Sequence, residues 1–248
     1  MDRDRISAIT HGDRPFHNPL GMARIDAAID RLGLGPGDRV LDVGCGPGEL
    51  LVRIVERTGA GGLGLDSSEI LVEAARRRAA ARAPDAGLSF LVGDVRGDDL
   101  TADGPFAAAC CLGASHALGG LEPALERLAE AAGPAGAVLL ADGFWEREPD
   151  PAFLDALGAT ADELPDFAGL LRAGRPAGLE PVWVATSTRR DWEDYEWTLI
   201  ANGDAYVRSH PDATEVRDRI DRARARLFAP GGRDTIGFAL LVLRRADS

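Results

Sequence analysis

The sequence contains no lysine and no glutamine, and cysteine and aromatic residues are scarce. All 28 basic residues are therefore arginine, set against 40 acidic residues, which gives a formal net charge of −12. This acidic excess argues against a nucleic-acid partner, because phosphates would be repelled over most of the surface. We interpret the missing lysine as compositional bias, since a functional need for arginine would not empty every surface position of lysine.

Long apolar runs are also missing. No run reaches the roughly 18 residues of a membrane-spanning helix, and the first five residues alternate in charge where a signal peptide has an apolar core. Three cysteines, Cys45, Cys110 and Cys111, cannot all pair, so we interpret them as buried thiols of a reduced protein. We expect a cytoplasmic protein with neither a membrane nor a nucleic-acid partner, and the oligomeric state stays open.

Apolar periodicity alternates between strand and helix from residue 20 onward, which is typical of a parallel sheet with helical crossovers. We predict strands over 39–43, 62–65, 88–92, 106–112, 137–141, 181–187 and 235–243, and helices over 20–33, 121–132, 190–209 and 212–228. The predicted single domain, 1–248, comprises N-terminal lid helices over 1–37, a core over 38–142, cap elements over 143–177 and 188–230, and final strands over 178–187 and 233–245.

The most informative segment joins a buried strand to a helix through a glycine-rich turn, in residues 40–50. Such a turn lets the backbone approach a ligand closely, and the helix start offers unpaired N–H groups. The dinucleotide fingerprint G-x-G-x-x-G fits poorly, because Glu49 stands where its last glycine belongs and an acidic side chain disfavours a pyrophosphate. A nicotinamide-dependent oxidoreductase stays open as an alternative.

The run from Asp42 to Gly48, with Asp66 and Asp94 after the next two predicted strands, resembles the class I S-adenosylmethionine-dependent methyltransferases over about residues 38–142. The resemblance implies a Rossmann-like doubly wound α/β sheet, mostly parallel with an antiparallel C-terminal strand, plus a small helical cap. It also implies S-adenosyl-L-methionine as cofactor and S-adenosyl-L-homocysteine as product. The implied cofactor-binding residues are Asp42, Gly44, Cys45, Gly46, Gly48, Asp66, Ser67, Ser68, Asp94, Val95, Cys111 and Leu112.

Within this resemblance, Asp66 holds the ribose hydroxyls, since a carboxylate accepts hydrogen bonds in pairs. Asp94 binds the adenine amino group and Val95 offers its backbone N–H to the ring. A carbonyl at Cys111 or Leu112 accepts from the methionine ammonium group.

Candidate catalytic and substrate residues lie outside this core. His116, in a glycine-rich stretch resembling a bacterial small-molecule branch of the family, is the candidate general base, with Tyr195 as a second catalytic candidate. His17, Trp145 and Trp192 are the candidate substrate contacts. Core packing explains Trp145 equally well, and it is the default interpretation of Trp192 and Tyr195.

Two further hypotheses concern ligands. Acidic residues interleave with the aromatic residues of 191–197, which would suit an amine substrate. His11 and His17 are six residues apart with no Cys or His nearby, so we expect no metal site.

The resemblance implies in-line displacement, in which an N, O, S or C nucleophile of a small molecule attacks the sulfonium methyl. A non-catalytic cofactor-binding protein on the same scaffold stays open as a further alternative. Methylation of nucleic acid is disfavoured by the charge and by Cys111-Leu112-Gly113-Ala114, where amino-methylating enzymes of nucleobases carry an Asn/Asp-Pro-Pro-aromatic motif.

Overall fold

A computed structural model describes residues 1–97 and 99–246, and positions 98, 247 and 248 of the predicted domain lie outside the described residues. The described residues form a seven-stranded sheet in the order β3-β2-β1-β4-β5-β7-β6. Its strands are β1 (Arg39–Val43), β2 (Gly61–Asp66), β3 (Leu88–Val92), β4 (Ala108–Leu112), β5 (Ala137–Trp145), β6 (Leu179–Thr186) and β7 (Ile236–Arg245).

Strands β1 to β5 pair in parallel, whereas β7 runs antiparallel to both of its neighbours, β5 and β6. This arrangement confirms the predicted doubly wound sheet with its antiparallel C-terminal strand. The helices are α1 (Arg3–His11), α2 (Met22–Ile29), α3 (Glu49–Thr58), α4 (Glu69–Arg82), α5 (Leu121–Ala132), α6 (Pro151–Leu157), α7 (Phe167–Arg172), α8 (Arg189–Ser209) and α9 (Thr214–Phe228).

Two apolar cores lie on opposite faces of the sheet. Val40 points into a core shared with α2, α3 and α4, while Leu41 and Val43 point into another shared with α5. Strand β1 is thus buried on both sides, which is why its sequence reads as an almost continuous apolar run. The one charged residue in that run beyond its first position, Asp42, is buried with it.

Several boundaries differ from the sequence prediction. The helix predicted over 20–33 spans only Met22–Ile29, because Gly21 takes the N-cap position and the chain turns at Asp30. Strand β4 begins at Ala108 rather than at residue 106. Strand β5 continues through 143–145, predicted as cap, because these residues pair with the start of β7.

Helix α1 covers the edge of the sheet at which the parallel strands end. Its residues are mostly polar, so apolar periodicity did not predict where it begins and ends. The Asp2 side chain caps the helix by accepting a hydrogen bond from the Arg5 N–H. The helix packs against α8 and α4. Among the described residues, no helix combines the length and apolar character needed to cross a bilayer.

Candidate active site

The glycine-rich loop is held by backbone hydrogen bonds to the end of strand β2. The N–H groups of Gly44 and Cys45 both donate to the Leu65 carbonyl oxygen, at 2.8 and 3.0 Å. Because three loop residues, Gly44, Gly46 and Gly48, adopt positive φ, the turn requires glycine at alternate positions. The loop therefore starts from β1, bonds to β2 and delivers the chain into α3.

The three glycines face different surroundings. A Cβ on Gly44 would lie 2.3 Å from the Ala114 Cβ, and one on Gly48 would lie 2.7 Å from the Ala75 Cβ. A Cβ on Gly46 would meet nothing within 4 Å. Gly44 and Gly48 thus allow close packing, while Gly46 leaves open space at the loop surface where a ligand can approach the backbone.

Asp66 is fixed beside this open space by two backbone donors. Its Oδ2 accepts from the Gly46 N–H at 2.8 Å and its Oδ1 from the Ser68 N–H at 2.9 Å. Burial raises the pKa of the Asp66 carboxyl, and these backbone hydrogen bonds oppose that rise. The carboxylate is thereby oriented without a cationic side chain.

Asp42 lies deeper, with only 2% of its surface exposed. Burial raises its pKa to about 8, and the charge of Asp66 contributes to the rise. Across residues 1–97 and 99–246, no arginine or histidine forms an ion pair with either carboxylate. The raised pKa keeps Asp42 largely protonated at pH 7, and a cationic ligand would favour its charged form.

A cleft of about 480 Å³ opens on this site. It is bounded by the glycine loop, the ends of β2, β3 and β4, and helix α1. Ten predicted site residues line it: His17, Gly44, Gly46, Asp66, Ser67, Ser68, Asp94, Val95, Leu112 and His116. Asp42 and Cys45 line a smaller cavity of about 40 Å³, which shares His17, Gly44, Gly46 and Leu112 with the cleft.

Some residues of the cleft were missed by the sequence analysis. Helix α1 contributes Arg3, Asp4 and Ser7, and no motif marks them. Asn18, within the predicted lid region 1–37, lines the smaller cavity, and its Nδ2 donates to the Leu112 carbonyl oxygen at 3.4 Å. Its side chain therefore ties the N-terminal loop (residues 12–21) to the end of β4.

The structure places five other predicted site residues away from the cleft surface. Cys111 is fully buried within β4, and Gly48 packs behind the loop. Trp145 is buried and donates its Nε1–H to the Ala161 carbonyl at 2.8 Å. Trp192 packs edge-on against Phe238, and the Tyr195 hydroxyl contacts the N-terminal residues His11 and His17.

The carboxylates around Trp192 have arginine partners, which removes the basis of the amine-substrate hypothesis. Asp191 lies 2.8 Å from Arg24. Glu193 pairs with Arg233 and Glu196 with Arg226. These acidic groups are already neutralised within the protein, so they do not form a negative pocket.

Glu49 also differs from its prediction. Its carboxylate is 4% exposed and lies within 3.0 Å of Arg53, Arg78 and Arg82. It therefore faces a cluster of cations on α3 and α4 and does not project toward the ligand side of the loop. Contrary to the prediction, Glu49 is therefore not placed to repel a pyrophosphate at the loop.

His116 is exposed in a short helical turn, 115–118, directly after β4. Burial raises the pKa of the neighbouring Asp142, while the Ser115 hydroxyl, the Gly143 N–H and the charge of His116 oppose the rise. His116 thus lies at the cleft surface with a carboxylate close enough to interact electrostatically with it.

Comparisons with known proteins agree with this geometry. Residues 40–136 match the family model of a methyltransferase domain. Over 98% of its length the chain is similar to the YjhP protein of Escherichia coli K12, with 28% identity over 99% of that protein.

The YjhP crystal structure superposes with a TM-score of 0.88 over 97% of this chain and 99% of that one, at 27% identity. Two methyltransferases crystallised with S-adenosyl-L-homocysteine are similar to the same degree, each with a TM-score of 0.88. The Geobacter sulfurreducens structure is 26% identical over 97% of this chain and 98% of its own. The Thiobacillus denitrificans structure is 29% identical over 99% of this chain and 100% of its own.

The fold, the glycine loop with its two carboxylates and these relatives define the class. Residues 40–136 match a methyltransferase domain, and the chain as a whole has the fold of class I S-adenosylmethionine-dependent methyltransferases. It is an enzyme, so the oxidoreductase and the non-catalytic alternatives are both set aside.

Proposed function

We propose that the chain transfers a methyl group from S-adenosylmethionine to a small-molecule nucleophile in the cleft. The observation that carries the proposal is the acidic pair of the buried Asp42 and the half-buried Asp66, neither of which forms an ion pair with a cationic side chain among the described residues. The cofactor carries a sulfonium and an ammonium group, so it supplies the positive charge that these two carboxyl groups lack among the described residues.

Other features of the cleft also fit the cofactor. The Ser68 hydroxyl is buried without a hydrogen-bond partner among the described residues, and a ligand hydroxyl would satisfy it. Asp66 is oriented to accept from the ribose hydroxyls, and Gly46 gives the ligand room beside it. Asp94 and the Val95 N–H lie on the same cleft for the adenine ring.

The remaining wall of the cleft suits the acceptor. His17, Gly113, His116 and Ala117 surround the space beyond the end of β4. When bound, S-adenosylmethionine supplies an electrophilic methyl group. The protein aligns the nucleophile with that group, excludes water beneath α1 and accepts the released proton at His116.

The acceptor is a small molecule on two grounds. Helix α1 and the N-terminal loop narrow the cleft to about 480 Å³, the size of a small-molecule site. The net charge of −12 opposes approach of a nucleic acid.

Titration calorimetry with S-adenosylmethionine tests cofactor binding, and a panel of hydroxyl, thiol, amine and carbon acids, read out by S-adenosylhomocysteine formation, identifies the acceptor. Absence of binding at millimolar cofactor would overturn the proposal.

His116→Ala tests the proton acceptor. We expect it to lower turnover by about 10²–10³-fold while leaving cofactor affinity within twofold. His210→Ala is the matched control, because His210 is exposed at the end of α8. Equal turnover in both variants would remove His116 from the mechanism.

A further inference from the structure

We propose that Tyr195 is a positioning residue whose hydroxyl holds the N-terminal loop closed over the cofactor cleft. The inference rests on the proposed function for its ligand. It assigns a role to Tyr195, which lies away from the cleft surface. The hydroxyl lies 3.0 Å from the His11 Nε2, at the end of α1, and 3.2 Å from the His17 carbonyl oxygen. One side-chain atom therefore joins both ends of the segment 11–17.

The segment is tied to the cleft at its far end. The His17 side chain lines the cleft and its smaller neighbouring cavity. The next residue, Asn18, donates to the Leu112 carbonyl oxygen and accepts from the Leu20 N–H. A shift of His17 would therefore displace groups that surround the cofactor space.

The two histidine rings add a stacked contact to this closure. Their centroids are 3.9 Å apart and their planes are inclined by 9°. Burial lowers the pKa of His11 to about 4 and that of His17 to about 3. Both rings are thus neutral at physiological pH, and they stack without charge repulsion.

The Tyr195 hydroxyl is the donor to both ends of the segment. The His11 Nδ1 lies 2.8 Å from the Ser7 carbonyl oxygen, which can only accept, so the proton of the neutral His11 ring is on Nδ1 and Nε2 is an acceptor. The single Tyr195 proton is therefore shared between the His11 Nε2 at 3.0 Å and the His17 carbonyl oxygen at 3.2 Å. Phenylalanine at position 195 would leave both acceptors without this donor.

Other contacts hold α1 and the start of the segment to α8 but do not reach the cleft. Asn202 donates to the Thr10 carbonyl at 3.0 Å and anchors the helix. Arg14, inside the segment, donates to the Thr198 hydroxyl and the Asp194 carbonyl, both at 3.3 Å. Removal of the Tyr195 hydroxyl should therefore loosen the His17 end of the segment while α1 remains docked.

The experiment compares Tyr195→Phe with Tyr206→Phe. The second tyrosine lies on the same helix and also contacts a histidine, His210, with ring centroids 4.1 Å apart. For Tyr195→Phe we expect roughly tenfold weaker binding of S-adenosylmethionine, from the loss of the hydrogen-bond donor that the two ends of the segment share. We also expect amide hydrogen exchange to speed up by about tenfold or more in residues 12–18 alone.

Tyr206→Phe should leave affinity and exchange in residues 12–18 within twofold of the wild type. A His11→Leu variant removes the same bond from the other side, and its effect should not add to that of Tyr195→Phe. This second variant also tests the closure if Tyr195→Phe does not fold.

Unchanged affinity and unchanged exchange at 12–18 in Tyr195→Phe would overturn the inference. A loss of overall stability with both readouts unchanged would assign the residue to packing and would overturn it equally. The exchange measurement needs no cofactor, so failure of wild-type binding would contradict the proposed function and leave this inference to be decided by exchange.

Discussion

Two acidic sites flank the same glycine loop, and they differ in what balances their charge. Behind the loop, Glu49 is surrounded by Arg53, Arg78 and Arg82 at 2.7–3.0 Å. In front of it, neither the buried Asp42 nor the half-buried Asp66 has a cationic partner among the described residues, and burial raises the pKa of both. The first site is balanced within the protein, whereas the proposed function completes the second with a cationic ligand.

The comparison shows that an acidic residue near a ligand loop indicates a binding role only when the protein leaves its charge unbalanced. The residues 191–196 teach the same lesson, since their carboxylates resemble a ligand site in sequence but pair with Arg24, Arg226 and Arg233. Buried ion pairs cost much to break, while a buried unpaired charge costs much to keep. Substitution of Glu49 should therefore mainly lower stability, whereas substitution of Asp66 should mainly weaken cofactor binding.

The largest effect is expected for Glu49→Ala. The substitution leaves three arginines without their shared partner, and breaking a buried ion pair costs about 3–5 kcal/mol of unfolding free energy. Urea denaturation measures it. Glu73→Ala is the control, because that carboxylate pairs with Arg76 on the surface, where it contributes under about 1 kcal/mol. Similar losses of unfolding free energy in Glu49→Ala and Glu73→Ala would show that the ion pairs of Glu49 stabilise the fold no more than a surface pair does.

Asp66→Asn should affect binding rather than stability. The amide keeps the side-chain size, but it cannot accept two hydrogen bonds as a charged group from the ribose. We expect about 100-fold weaker cofactor binding, or about 2.7 kcal/mol. Unfolding free energy should change by about 1 kcal/mol or less, since one backbone N–H loses its acceptor.

Calorimetric titration and denaturation of the same Asp66→Asn sample test this separation. A variant that binds normally, or one that unfolds as readily as Glu49→Ala, would contradict it.

Asp42→Asn should change how stability depends on pH. A carboxyl whose pKa rises from 3.8 to about 8 on folding keeps its proton where the unfolded chain has lost it. The folded state then binds more protons, so the free energy of unfolding falls as pH rises from about 4 to about 8. One such group contributes a slope of up to about 1.4 kcal/mol per pH unit.

The measurement is the difference between wild type and Asp42→Asn across that window, without cofactor. The difference removes the contributions of other carboxylates, which are common to both chains. Parallel curves of unfolding free energy against pH would show that folding does not raise the pKa of Asp42.

The smallest effect is expected for Asp94→Asn. This carboxylate is exposed at the end of β3, so water screens it in the free protein. We expect about five- to tenfold weaker cofactor binding from the loss of one hydrogen bond to the adenine amino group. Unfolding free energy should stay within about 0.5 kcal/mol. An effect larger than that of Asp66→Asn would reverse the assigned roles.

Much of the fold was predictable because local sequence carries it. Strands β1 and β3 have the predicted bounds, since both are short apolar runs bounded by turn residues, although only β1 is buried on both faces. The extension of β5 through Trp145 was not predictable, because residues 143–145 become strand only by pairing with β7, about 90 positions away in the chain. Helix α1 has few apolar residues and depends on α8 for its position.

The residues of the candidate site were likewise predictable only where local sequence marks them. Asp66 and Asp94 were located by their spacing from the glycine loop, and the structure places both on one cleft. The arginines that neutralise Glu49 come partly from α4, which no local pattern connects to that residue. Tyr195 shows the same limit, since its partners lie near the N-terminus, 178 and 184 positions earlier.

The most direct test of the unbalanced carboxylate pair is proton release on cofactor binding. At pH 7 the raised pKa of Asp42 keeps it largely protonated, and a cationic ligand favours its charged form. Calorimetric titration of S-adenosylmethionine in two buffers of different ionisation enthalpy counts the protons released. The account predicts release of up to about one proton by the wild type and none by Asp42→Asn. Equal release from the two chains, or no binding by the wild type, would contradict it.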